Sequence, residues 1–184
     1  MNTVGLKEPI SFGLHGQVEL SVAPHRLDID DALKVAKIIH KEDNLIVDTA
    51  EKVIARLMMR DTADYLPYYI HLGTGGDYAQ EGKYDAEQRV APATTDTEIR
   101  ESLIKLPIVK VDRISDNQWT YIAIADPSQA LTTSLNEMTL ETFNGTLISH
   151  YVTLPEAGAV RSKRLVKTSL FYLIVRWTFT LTLA

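Results

Sequence analysis

The hydrophobic period changes twice in the first third of the chain. In "GQVELSV" Val18, Leu20 and Val22 alternate with polar neighbours, which predicts a half-buried strand closed by Pro24. From Leu27 to Asp43 the spacing becomes helical. Ile29, Ala32, Leu33, Ala36 and Ile39 fall on one stripe, Asp28 stands where an N-cap belongs, and Lys37, His40 and Lys41 suit the carbonyl end. A second helix is expected in "IVDTAEKVIARLMMRD". There Asp48 and Glu51 have capping-box spacing, Ala50, Val53, Ile54, Leu57 and Met58 make one apolar face, and the Met58-Met59 pair reads as core filling.

From Tyr65 onward strands take over. "YYIHL" is followed by a long polar excursion, "GTGGDYAQEGKYDAEQRVAPATTD", and then by "DTEIRESL", where Asp96 can cap a short helix. "IVKVDRI" and "WTYIAIA" read as strands joined through "SDNQ". "MTLETF" and "TLISHYVTL" flank Asn144-Gly145, the pair that tolerates the two positive φ angles of a type I′ hairpin; the sequon Asn144-Gly145-Thr146 reads as this turn. At the C-terminus Leu173, Val175, Trp177, Phe179, Leu181 and Leu183 alternate with Arg176, Thr178, Thr180 and Thr182. This predicts a long strand at the edge of a sandwich or of a partner sheet. The whole is therefore expected to be α+β. Residues 1–64 hold an N-terminal strand plus two helices, as an attachment arm or part of the core, and residues 65–184 form a mainly antiparallel β-sandwich with a long loop over 77–96.

Composition narrows the chemistry. With 45% hydrophobic and 23% charged residues, the chain of 184 can bury a core and falls in the ordinary globular range. The absence of cysteine excludes disulfide scaffolds, thiolate zinc sites and cysteine nucleophiles. The N-terminus lacks the basic start and apolar core of a secretory signal, and "LFYLIVRWTFTLTLA" is shorter than a spanning helix and carries Arg176, so no membrane partner is expected. Within a net charge of −5, the last segment is basic: Arg161, Lys163, Arg164, Lys167 and Arg176 stand against Glu156 alone. An acidic whole favours an acidic subunit surface over nucleic acid as the partner of that segment. Arg161, Lys163, Arg164 and Lys167, with Tyr78 and Tyr84 of the long loop, are the candidate interface residues.

"HLGTGGD" resembles a phosphate loop in its glycines, but Asp77 stands where a Walker loop needs a cation and no helix pattern follows. Gly73, Gly75 and Gly76 are read as a sharp backbone exit from a strand. The five histidines show no paired metal spacing and there is no nucleophile elbow. Asp77, Asp85 and Glu87 lack EF-hand spacing. No cofactor and no enzymatic activity are expected.

The order of these parts carries a resemblance. "NLIVDTAEKVIARLM", "YIHLGTGG" and "PATTDTEIR", followed by an Asn-Glu before a strand, a Gly-Thr-Leu hairpin, a basic Lys-Thr element and a final Trp-Thr strand, are similar to a pattern in structural proteins of tailed bacteriophages. The resemblance covers residues 44–184. It implies a virion protein of the tail, neck, collar or fibre-attachment region with a small β-sandwich core, assembled in the host cytoplasm, whose partners are copies of itself and other virion proteins. Gly73, Thr74, Gly75, Thr95, Asp96, Thr97, Asn136, Glu137, Gly145 and Trp177 would then define the fold. A capsid decoration protein and a carbohydrate-binding tail module using Tyr78 and Tyr84 are the alternatives.

Overall fold

A computed structural model describes residues 12–60, 62–74, 91–129, 134–153 and 165–183. Its elements in chain order are β1 (Phe12–Pro24), α1 (Ile29–Val35), β2 (Lys37–Ile46), α2 (Thr49–Met58), α3 (Thr62–Tyr65), β3 (Pro67–Gly73), β4 (Ser102–Ser115), β5 (Gln118–Ala125), β6 (Ser134–Leu135), β7 (Glu137–Thr142), β8 (Leu147–Val152), β9 (Leu165–Val166) and β10 (Phe171–Leu183). Eight strands close a barrel in the order β1-β10-β5-β4-β3-β7-β8-β2, and every neighbouring pair is antiparallel. The expected α+β sandwich behind an N-terminal strand and two helices is therefore wrong. β1 and β2 are staves of the same barrel as the later strands, and the helices are short, at seven, ten and four residues.

Closure depends on two strands that change partners along their length. β4 pairs with β3 up to Pro107 and with β5 from Ile108 on. Pro107 lacks an N–H for a continued ladder, which suits it to the handover. β2 pairs with β1 over Lys37 to Asn44, then with β8 through Leu45 and Ile46. These two corners join what would otherwise be separate sheets.

The interior is filled. Val18 and Leu20 of β1, Ile70 and Leu72 of β3, Met138 and Leu140 of β7, and Val175, Trp177 and Phe179 of β10 belong to one buried cluster. The outer wall of β1, β10 and β5 is polar at Arg176–Glu19, Thr120–Thr178 and Gln118–Thr180, all of which are bonded across strands. An apolar filling with polar outer pairs is the reverse of a membrane-spanning barrel. Among the described residues no helix is long and apolar enough to cross a membrane.

Several local expectations are corrected. The first helix ends at Val35, and Lys37 to Asp43 continue as strand, because β1 needs a second neighbour. β2 carries polar residues on the face it shares with the buried side of β1: His40 and Glu42 stand opposite Leu20 and Val18, His40 nearly buried and Glu42 exposed, and the Tyr151 hydroxyl donates to Glu42 Oε2 at 2.8 Å. This leaves no apolar alternation from which to read a strand. In α2, Ala50 and Val53 are buried, but Ile54 is half exposed and Met58 and Met59 are out in solvent, so the methionines are not core filling. Asp48 makes no side-chain cap.

"DTEIRESL" forms no helix; it runs as coil into β4, and Asp96 accepts from the Ala93 N–H instead. The β7–β8 hairpin is present without a type I′ turn. Among the described residues only Gly145 and Arg60 have positive φ, and the Gly145 N–H bonds Thr142 O. That pattern is a type I turn followed by a left-handed glycine. Finally β10 is not an edge: it pairs with β1 along its whole length and with β5 from Leu173 to Thr180.

Candidate functional site

Across β4, β3, β7 and β8 the outward positions Lys105, His71, Thr139 and His150 stand side by side in register. Glu137 and Glu141 lie two residues either side of Thr139 and so share its face. An outward strand face ordinarily meets water, yet Glu137, Thr139 and His150 are fully buried. The segment 91–101 lies against this face and is bonded to it.

The deeper half of the layer is a clamp. Glu137 Oε1 accepts from the Arg100 N–H at 3.0 Å and meets His150 Nε2 at 2.8 Å, while Oε2 accepts from the Glu101 N–H at 3.2 Å. The other imidazole nitrogen, Nδ1, lies 2.6 Å from Asp96 Oδ2, which also accepts from the Ala93 N–H and the Arg100 guanidinium. Burial acts to raise the Asp96 pKa, but the Ala93 amide, the bond and charge of His150 and the charge of Arg100 outweigh it and hold the carboxyl below its ordinary value. The His150 imidazole thus bridges the two carboxyl groups, one ring nitrogen to each.

Gly73 is the one described glycine of the stretch that resembles a phosphate loop. A Cβ there would sit 2.2 Å from the Glu101 carbonyl oxygen, so the glycine lets segment 99–101 cross β3 at backbone contact. The crossing is tied by the Thr74 N–H to Glu101 O, the Asn136 N–H to Gly73 O and Asn136 Nδ2 to Thr74 O. The Gly73 carbonyl and the N–H and carbonyl of Thr74 are thereby taken up by the protein itself.

The outer half is different. Glu141 accepts from Thr139 Oγ1 at 2.9 Å, from His71 Nδ1 at 3.0 Å and from Lys105 Nζ at 2.6 Å. Its burial, which would raise its pKa, is outweighed by the bonds to His71, Lys105 and Thr139, so it stays ionised below the usual range. His71 Nε2 faces the hydroxyl of Ser102 at 2.6 Å, and Ser102 is exposed.

Of the residues expected at an interface, Arg161, Lys163, Arg164, Tyr78 and Tyr84 lie outside the described residues, as do Gly75, Gly76 and the acidic loop positions Asp77, Asp85 and Glu87. Lys167 is turned inward: it is 2% exposed, and its Nζ donates to Thr168 O. Among the described residues no group of three or more His, Cys, Asp or Glu is arranged to hold a metal ion.

Sequence reasoning missed His71, Ser102, Glu141 and His150 as a set, because they are far apart in the chain and meet only through the ladders. The available signal was that Glu137, Thr139 and Glu141 make a wholly polar alternate face in a strand whose other face is Met138 and Leu140. No family model matches this chain, and no curated protein or solved structure matches it either.

Proposed function

We propose that this chain is a structural component of a bacteriophage virion, a multimeric tail-apparatus protein of the collar, neck, baseplate or fibre-adaptor kind. It acts through contacts with copies of itself and with other virion proteins. The observation that carries this reading is a set of exposed apolar side chains: Met58 and Met59 at the end of α2, and an adjoining group of Leu66, Tyr68 and Phe143 at the start of β3 and the β7–β8 turn. Met58 is 81% exposed and Met59 73%. Leu66, Tyr68 and Phe143 are each about half exposed. Phe143 packs edge-on against Tyr68 with centroids 5.2 Å apart, and its N–H bonds Leu66 O. Scattered apolar residues are ordinary on a protein surface, but adjoining ones mark contact sites, and methionine and aromatic residues are enriched in such contacts.

The residues behind the phage resemblance support the same reading. Gly73, Thr74, Asp96, Asn136 and Glu137 all take part in the clamp and its crossing, and Trp177 lies in the barrel core. Their work is architectural, as expected of a protein whose role is to hold shape and make contacts.

The test is sedimentation velocity with negative-stain imaging, comparing the wild-type chain with the double variant Met58→Glu, Phe143→Ser. The wild type is expected to form discrete multimers at micromolar concentration, and the variant to remain monomeric with little change in melting temperature. A monomeric wild type that is also absent from purified phage particles by mass spectrometry would overturn the proposal.

A further inference from the structure

At the exposed rim of the charged layer, Ser102, His71 and Glu141 form a hydrogen-bonded chain that the clamp does not use. Ser102 Oγ is 2.6 Å from His71 Nε2, and His71 Nδ1 is 3.0 Å from Glu141 Oε1. The Glu141 side chain is 6% exposed, and Lys105 holds its second oxygen. Because an ionised carboxylate can only accept, a neutral His71 carries its proton on Nδ1, which leaves the Nε2 lone pair facing the Ser102 hydroxyl. Nucleophile, base and orienting carboxylate in hydrogen-bond sequence are the arrangement that activates serine on unrelated folds.

We propose that Ser102 is an activated nucleophile that accepts an acyl group from esters with good leaving groups. Ser102 Oγ attacks the carbonyl carbon while its proton passes to His71 Nε2. The bond from that carbon to the leaving oxygen then breaks, and the leaving group departs with the electron pair, as an anion or after taking the proton from His71. The product is an acyl ester on Ser102.

The substrate class follows from the neighbouring amides. The N–H groups of Arg100 and Glu101, immediately before Ser102, are bonded to Glu137 and cannot stabilise a tetrahedral oxyanion. An activated ester depends on that stabilisation less than an amide does, so peptide bonds are not substrates and the acyl group is released slowly. This inference is independent of the virion reading.

The experiment incubates the purified full chain with p-nitrophenyl acetate and maps acetylation by peptide mass spectrometry. Expected are acetylation at Ser102 and a burst of nitrophenolate of about one equivalent per chain, the mark of an accumulating acyl-enzyme. Ser102→Ala abolishes the burst, and His71→Gln slows labelling by about 10²-fold or more, the scale of general-base assistance. Acetylation at Lys105 instead, or labelling of His71→Gln at the wild-type rate, overturns the proposal. If His71→Gln does not fold, the wild-type rate is compared with acetylation of free N-acetylserinamide under the same conditions, and a Ser102 that reacts no faster overturns it equally.

Discussion

Glu137 has no exposed surface, so its charge is tolerated only through the groups that donate to it. Replacing it with alanine leaves the Arg100 and Glu101 amides and His150 Nε2 without their acceptor. Removing one partner of a buried pair costs about 3–5 kcal/mol, and Glu137→Ala is expected to lose stability on that scale in urea denaturation. Ser102→Ala, at an exposed site, is expected to change stability by less than about 0.5 kcal/mol. The pH dependence follows from Asp96. Its folded pKa is depressed, so its contribution is fully present above the unfolded carboxylate value of about 4 and is lost as pH falls through the folded value. Thermal melts should therefore show a falling midpoint below about pH 4, and Asp96→Asn should flatten part of that fall. Gly73→Ala is expected to lower stability by about 1–3 kcal/mol by pushing segment 99–101 off β3; a midpoint equal to wild type would show that the crossing has slack.

The two longer helices are held by one face each and have little of their own. In α2 the buried residues are Ala50 and Val53, in the same cluster as Ile148 of β8, while Ile54 and Met58 point outward. Val53→Asp would bury an unpaired carboxylate and is expected to cost about 3 kcal/mol or more, whereas Met58→Lys should lie within about 0.5 kcal/mol of wild type. Equal denaturation midpoints for the two variants would contradict the docking described above. α1 is similar on a smaller scale: Ala32 packs with Ala23, Ile122 and Ile174, and Arg176 reaches the Leu33 carbonyl at 3.2 Å. At seven residues α1 is far below the length at which a helix is stable alone, so it exists because the barrel wall is beneath it.

For the whole molecule the decisive ladder is β1 with β10, which joins Phe12 to Leu183 and Pro24 to Phe171. β10 is also the neighbour of β5, so deleting residues 173–184 removes most of two ladders and opens the barrel along two strands at once. The truncated chain is expected to be insoluble or to lack a cooperative melt; a soluble truncation with a wild-type circular-dichroism melt would show that the remaining strands close without it. Closure between the first and last strands also places a large share of native contacts at long sequence separation, the condition that slows folding.

The alternation of side chains determined a great deal without help. It marked β1, β5 and β10 as strands, told the buried faces of β1 and β10 from their polar ones, and placed a hairpin at Asn144-Gly145. These follow from local geometry, since a period of two and a residue tolerant of positive φ are properties of short stretches. What alternation cannot carry is which strand lies beside which. Lys37 to Asp43 became strand rather than helix because β1 offered a ladder, and β4 and β2 turned corners because each had different neighbours at its two ends. For the same reason the charged layer was invisible. His71, Ser102, Glu137, Glu141 and His150 become one site only when β3, β4, β7 and β8 are in register and the 91–101 segment is bonded across them, and that energy belongs to the closed barrel rather than to any one stretch of the chain.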